Sequence, residues 1–106
     1  MVYHTIYVPA RIVVHDKWVT NEGDLVEIKV WNVESSASFP DGVKYSMVFI
    51  HGGERVLCYD NERGKGHHEH RSGREKAVEY KGLEHLLGKF EKAIDELRGE
   101  LYGNAR

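Results

Sequence analysis

The stretch that decides the fold is "VKYSMVFIHGGERVLCYDN", residues 43–61, which has the pattern of two strands joined by a tight turn. Both halves are rich in apolar, β-branched and aromatic residues, which are typical of strands that border a core. Gly52 and Gly53 lie between them, and glycine readily adopts the positive φ that a two-residue hairpin turn demands. The stretch therefore predicts an antiparallel hairpin from about Val43 to Tyr59.

A second hairpin is predicted on the N-terminal side of the first. "RIVVHDKWV" and "LVEIKVWNV" flank the turn signal "TNEGD" at residues 20–24. In the second of these segments, Val26, Ile28 and Val30 alternate with polar or aromatic residues, which indicates one buried face. "YHTIYV", residues 3–8, is rich in β-branched and aromatic residues and is a further strand candidate.

The C-terminal part changes from strand to helix. "EKAVEY", near residues 75–80, is the last strand candidate. Beyond it, apolar residues recur every three or four positions, and these are Leu83, Leu86, Leu87, Phe90, Ile94, Leu97 and Leu101. This spacing predicts an amphipathic helix over 83–101. The expected fold class is therefore α+β, with an antiparallel sheet of about five or six strands, including two hairpins, packed by one C-terminal amphipathic helix.

Length and composition limit the function classes. The 106 residues fit a single domain spanning 1–106, and the 41% of hydrophobic residues suffice for one core. A net charge of -2 argues against a general nucleic-acid binder, which is usually strongly basic. One cysteine excludes an internal disulfide, and neither a signal-peptide pattern nor a membrane-length apolar run is present. We therefore expect a cytoplasmic protein without membrane association.

Chemistry is concentrated in "YDNERGKGHHEH", from Tyr59 to His70, which contains three of the seven histidines. In an extended segment side chains alternate, so His68 and His70 would share one face. The glycines in this segment would let the chain bring Asp60 and Lys65 towards that face. Titratable groups crowded in this way are more frequent at functional sites than elsewhere.

The first hypothesis for this segment is general acid–base catalysis. Two imidazoles can supply one base and one acid near neutral pH, and we assign His68 as base and His70 as acid. Lys65 would stabilise negative charge on a phosphate, and Asp60 would orient a histidine by accepting its second N–H. This set suffices for metal-free cleavage of RNA, in which the ribose 2′-hydroxyl attacks the neighbouring phosphorus. No cofactor is needed in this hypothesis.

The same segment is locally basic, which suggests phosphate contacts with RNA. The expected RNA-binding residues are Asn61, Arg63, Lys65 and Arg71. Asn61 has a further expected role, since asparagine in turns often fixes the loop by bonding to the main chain. Neighbouring glutamates would cancel much of this basic charge, and ordinary surface charge is therefore the plainer interpretation.

Two alternatives to catalysis stay open. Asp60, His68 and His70 together would form a two-histidine, one-carboxylate set that suits several divalent metals. In the plainest case the segment is a solvated polar turn of a non-catalytic interaction module. The residues alone do not decide whether the chain is an enzyme.

Longer strings in this sequence resemble a known family. "VEIKVWNV", "GVKYSMVFIHGGERVLCYDNERGKGHHEH", a short strand and the terminal helix together are similar to the TumE-type family of small prokaryotic proteins, classed as toxins of toxin–antitoxin pairs. The resemblance covers roughly Leu25 to Leu101. Its most specific residues are Tyr59, Asp60, Asn61, Gly64, Lys65, Gly66, His68 and His70. His67 occupies the position that varies between members.

The resemblance implies partners. A toxin of this kind is usually encoded beside a small helix-turn-helix antitoxin, and RNA or translation is often its target. Independently of the resemblance, an uncovered edge strand such as "YHTIYV" invites pairing with a second copy. We therefore expect a homodimer in which histidine segments from two copies could share one cleft.

Overall fold

The structure is a computed structural model that describes residues 10–62 and 64–103. Its elements in chain order are β1 (Arg11–Val19), β2 (Leu25–Asn32), β3 (Val43–His51), β4 (Glu54–Asp60), β5 (His68–Arg71), β6 (Arg74–Ala77) and α1 (Leu83–Tyr102). All six strands pair antiparallel, and their spatial order equals their order in the chain. The predicted α+β class, with a C-terminal helix on an antiparallel sheet, is confirmed.

Both predicted hairpins are present. The β3–β4 hairpin turns at Gly52 and Gly53, whose φ angles of 58° and 80° are the positive values expected there. The β1–β2 hairpin turns at residues 20–24, where the main-chain N–H of Thr20 donates to the carbonyl of Asp24 at 2.7 Å. Residues 33–42 connect β2 to β3, which pair antiparallel, so that the apolar positions of both strands reach the same face.

The core lies between one face of the sheet and α1. Strands β2, β3 and β4 supply alternate residues to it, and α1 supplies the residues of its apolar stripe. The largest fully buried side chains are Tyr45, Tyr59, Phe49, Phe90, Met47, Leu57 and Leu86. The rings of Tyr59 and Phe90 meet edge to face at 5.7 Å between centroids, which fixes the helix over β4.

The C-terminal part of the histidine segment is itself a strand, which is not among the predicted strands. β5 (His68–Arg71) joins β6 through a two-residue turn in which Ser72 and Gly73 have φ angles of 50° and 82°. The strand predicted near 75–80 is observed at Arg74–Ala77. "YHTIYV" lies outside the described residues, so its strand and the homodimer expected from it stay predictions.

The C-terminal end of α1 is anchored to the β1–β2 turn. Arg98 forms two hydrogen bonds with the carboxylate of Glu22, at 2.9 and 3.1 Å. The hydroxyl of Tyr102 donates to Asp24 at 2.6 Å. Over the described ranges, no helix is both long and apolar enough to cross a membrane.

Candidate functional site

Strand alternation divides the histidine segment between the two faces of the sheet. Glu69 is buried and accepts a 2.6 Å hydrogen bond from the hydroxyl of Tyr59, so it lies on the face covered by α1. His68 and His70 consequently lie on the opposite face. The shared face of these two imidazoles, predicted from the alternation, is therefore what the structure contains.

The two imidazoles lie around one carboxylate. Their ring centroids are 6.4 Å apart, and the Nε2 atoms of His68 and His70 each lie 3.7 Å from Oε2 of Glu75. The hairpin register produces this arrangement, because Glu75 on β6 is the direct partner of His70. Directly opposite residues in antiparallel strands have neighbouring side chains on one face.

The proton position on His68 follows from its main-chain contact. Nδ1 of His68 lies 2.9 Å from the carbonyl oxygen of Gly66. A carbonyl oxygen can only accept a hydrogen bond, so Nδ1 carries the proton and donates it. In the neutral imidazole, Nε2 is then left with a free lone pair, which is what a general base needs.

Asp60 lies next to the histidines but bonds elsewhere. It is the direct strand partner of His68. Its carboxylate accepts hydrogen bonds from Sγ of Cys58 at 3.5 Å and from the main-chain N–H of Glu62 at 3.4 Å. Over residues 10–62 and 64–103, no hydrogen bond or ion pair joins Asp60 to either histidine of the site. The carboxylate within reach of both rings is that of Glu75.

Cys58 is not a nucleophile in this arrangement. Burial, with a further contribution from the charge of Asp60, raises the pKa of its thiol to about 12. The thiolate is the reactive form of cysteine, so a thiol that stays protonated near neutral pH is inert.

A cleft of about 960 Å³ lies beside His70, and His68 is not among the residues that line it. Its charged lining residues are Glu34, Lys44, Arg55, Asp60, Glu62 and His70. Lys44 also lies over the ring of Trp31, with Nζ 5.4 Å from the ring centroid. Lys44 and Arg55 were not among the predicted site residues, because they lie outside the histidine segment and reach it only through the pairing of β3, β4 and β5.

The predicted RNA-binding residues are separated in the structure. Lys65 is exposed and pairs with Glu62 at 3.6 Å, which places it at the rim of the cleft. Arg71 lies on the helix side, where its guanidinium donates to Glu69 and to Glu96 at 3.1 and 2.9 Å. Arg63 lies outside the described residues.

Asn61 holds the end of β4 against β3. Its side-chain oxygen accepts the main-chain N–H of Tyr45 at 2.9 Å, and its side-chain amide donates to the carbonyl of Val43 at 2.7 Å. The residue is buried, and its side-chain amide is hydrogen-bonded to main-chain groups on both its oxygen and its nitrogen. This is the loop-fixing contact expected of it, and we do not include Asn61 among the RNA contacts proposed below.

His67 occupies a separate cluster on the helix side. Its Nε2 donates to Asp41 at 3.0 Å, and its Nδ1 accepts from the hydroxyl of Tyr45 at 2.9 Å. Its ring also stacks on Tyr80 with 4.4 Å between centroids and an interplanar angle of 5°. His67 is therefore a structural clamp between the 33–42 loop and the core.

The metal alternative was based on Asp60, His68 and His70. In the described part of the chain, no group of three or more histidine, cysteine, aspartate or glutamate side chains lies close enough together to hold a metal ion. The geometry instead gives a pair of imidazoles around the single carboxylate of Glu75. One imidazole of such a pair can accept a proton while the other donates one.

Comparison with known proteins gives one match. The model of the family described as Toxin TumE matches residues 4–98, and so includes the whole sheet and most of α1. No curated protein and no solved structure matches the chain. Because the matched segment covers most of the sequence, this chain belongs to the TumE family of toxins.

Proposed function

We propose that this toxin acts on RNA, and that it cleaves phosphodiester bonds by metal-independent acid–base catalysis through His68 and His70. The observation that carries the proposal is the position of two imidazole Nε2 atoms, each 3.7 Å from one carboxylate oxygen, on one face of the sheet. Chemistry that needs one base and one acid near neutral pH fits such a pair.

The two histidines have different roles in the proposed reaction. His68 is held by Gly66 with its Nε2 lone pair free, and it removes the proton from the ribose 2′-hydroxyl. The 2′-oxygen forms a bond to the adjacent phosphorus as the bond to the 5′-oxygen breaks. His70, which is more exposed and lines the cleft, donates its proton to that leaving oxygen. The products are a 2′,3′-cyclic phosphate and a 5′-hydroxyl end.

The cleft supplies the cations for the RNA backbone. Lys44 and Arg55 line it together with His70, and Lys65 lies at its rim. Cations at these positions can contact single backbone phosphates and balance the charge that develops on the reacting phosphate. Glu34, Asp60 and Glu62 lie among them. Carboxylates accept hydrogen bonds only, so they suit the amino and imino groups of bases more than the phosphates.

The antitoxin is part of the same proposal. A helix-turn-helix protein encoded beside this chain would bind it and suppress its activity. Co-expression with the neighbouring gene should restore growth of cells that express the toxin, and co-purification should then show a complex. Growth inhibition that persists with every neighbouring small gene contradicts this part.

The catalytic proposal is tested with purified protein and single-stranded RNA in EDTA. We expect cleavage that leaves 2′,3′-cyclic phosphate ends, and a fall of about 10²-fold or more in His68→Ala and His70→Ala. His85→Ala is the matched control, because His85 is an exposed histidine on α1, across the sheet from the cleft. In cells that express the protein, growth inhibition that survives the combined substitution of His68→Ala and His70→Ala contradicts the proposal. Cleavage that needs added divalent metal favours the metal alternative, and toxicity without cleavage favours the non-catalytic module.

A further inference from the structure

The carboxylate of Glu75 is placed where the reaction proposed above develops positive charge. When His68 takes the proton of the 2′-hydroxyl it becomes an imidazolium, and His70 is an imidazolium before it donates. Oε2 of Glu75 lies 3.7 Å from Nε2 of each ring. One carboxylate oxygen thus faces both proton-transfer atoms.

The groups around this point are few. His68 and His70 come from β5, Glu75 comes from β6, and Asp60 and Cys58 come from β4. Asp60 is engaged with Cys58 and the main chain of Glu62, and the Cys58 thiol is neutral. Glu75 is therefore the negative group that contacts the pair, within the part of the chain that the structure describes.

We propose that Glu75 is a positioning residue which holds the two imidazoles towards each other and stabilises the imidazolium form as the proton passes between substrate and protein. The inference rests on the proposed ribonuclease function and assigns to it a carboxylate that lies outside the histidine segment. The negative charge of Glu75 should have opposite effects on rate and on binding. Beside a phosphate it opposes binding of RNA, whereas beside a histidine it favours the protonated form that the reaction uses.

The test compares Glu75→Gln with wild-type protein in steady-state cleavage of single-stranded RNA. We expect kcat to fall about tenfold or more, since the neutral amide no longer stabilises the imidazolium. KM should stay equal or fall, because a negative charge has been removed from the RNA site. Glu75→Asp, which keeps the charge on a shorter side chain, should recover part of kcat. A merely structural role would raise KM or lower stability and would not be rescued by charge.

Glu79→Gln is the matched control, because Glu79 is exposed, close to the same strand and paired with Lys81 instead of a histidine. A second readout is independent of catalysis. In NMR spectra, the ring signals of His68 and His70 should both shift in Glu75→Gln, and neither should shift in Glu79→Gln. Unchanged kcat in Glu75→Gln overturns the inference. If wild-type protein does not cleave RNA, both the proposed function and the catalytic role of Glu75 are wrong. The ring shifts would still show whether Glu75 contacts both histidines.

Discussion

Asp24 and Tyr102 join the first hairpin turn to the end of α1. The hydroxyl of Tyr102, the last residue of α1, donates a 2.6 Å hydrogen bond to Oδ2 of Asp24, which precedes β2. Oδ1 of the same carboxylate lies 2.8 Å from Nδ1 of His51 at the end of β3. Asp24 is buried, whereas Tyr102 is 42% exposed, so these bonds lie where the core meets solvent. One carboxylate thereby connects the helix, the first hairpin turn and the third strand.

This contact predicts an acid-sensitive contribution to stability. Burial alone would raise the pKa of Asp24, but hydrogen bonds from Tyr102 and His51 outweigh it and lower the pKa below its ordinary value of 3.8. A carboxyl whose folded pKa is depressed stabilises the fold above its ordinary pKa and loses that effect as pH falls through the folded pKa. Asp24→Asn should therefore cost about 2 kcal/mol of unfolding free energy at pH 7, and the difference from wild type should shrink below pH 4. Urea denaturation across this pH range measures it, and a difference that does not depend on pH contradicts it.

Tyr102→Phe tests the same bond from the helix side. The hydrogen bond to Asp24 raises the pKa of Tyr102 to about 12, so the hydroxyl keeps its proton and donates throughout the physiological range. We expect a smaller loss of stability than in Asp24→Asn, because His51 still bonds to the carboxylate. In a double-mutant cycle the two losses should be less than additive. Fully additive losses would show that the two side chains do not interact.

Two adjacent histidines should give opposite phenotypes. His67 lies on the helix side with Asp41, Tyr45 and Tyr80, whereas His68 lies on the other face beside Glu75. His67→Ala should lower the unfolding free energy by about 2 kcal/mol, since two hydrogen bonds and a ring contact are lost. His67→Ala protein that remains folded should still cleave RNA. His68→Ala should lose cleavage and keep stability, and thermal unfolding together with a cleavage assay compares the two.

The buried carboxylate of Glu69 gives a further stability prediction. Burial would raise its pKa, but the hydrogen bond from Tyr59 and the charge of Arg71 lower it, so Glu69 is ionised in the core. Glu69→Ala leaves the hydroxyl of Tyr59 without its acceptor and the guanidinium of Arg71 with Glu96 alone. Because the side chain of Arg71 is 29% exposed, water replaces part of the lost contact, and we expect a loss of about 2 kcal/mol. Chemical denaturation measures this cost. A loss of only about 0.5 kcal/mol, which is typical of surface substitutions, would show that the pair does not stabilise the fold.

Local patterns in the sequence predict much of the fold. Gly52 and Gly53 fix one hairpin turn, and the three- to four-residue spacing of apolar residues fixes α1 within one residue of its observed end. β5 was not predicted as a separate strand, because "HEHR" has no apolar alternation. Its strand conformation comes from pairing with β4 and β6, which is a tertiary effect that outweighs local propensity.

The site was predictable only in part, for a related reason. Alternation alone puts His68 and His70 on one face, but their neighbours depend on strand register. The Ser72–Gly73 turn sets that register and brings Glu75 opposite His70. "RSGR" is a recognisable two-residue turn signal, so Glu75 could have been found from the sequence. Lys44 and Arg55 could not, since their approach to the histidines requires the pairing of β3, β4 and β5.

The placement of the cationic side chains yields a last prediction, on RNA affinity. Lys44 and Arg55 line the cleft beside His70, whereas the guanidinium of Arg71 is bonded to Glu69 and Glu96 on the helix side. Lys44→Ala and Arg55→Ala should each weaken binding of single-stranded RNA. Each should also reduce the slope of log affinity against log salt by about one, since one phosphate contact is lost.

The controls for that measurement separate charge from position. Lys89→Ala removes an equal charge from an exposed position on α1, across the sheet from the cleft, and should change neither affinity nor slope. Arg71→Ala should lower stability, because its carboxylate partners lose their cation, but should leave the salt slope of the folded protein unchanged. Titration of fluorescently labelled RNA at several salt concentrations measures all four variants. An equal loss of slope in Lys44→Ala and Lys89→Ala would show that RNA responds to net charge alone, and the cleft would then have no part in binding.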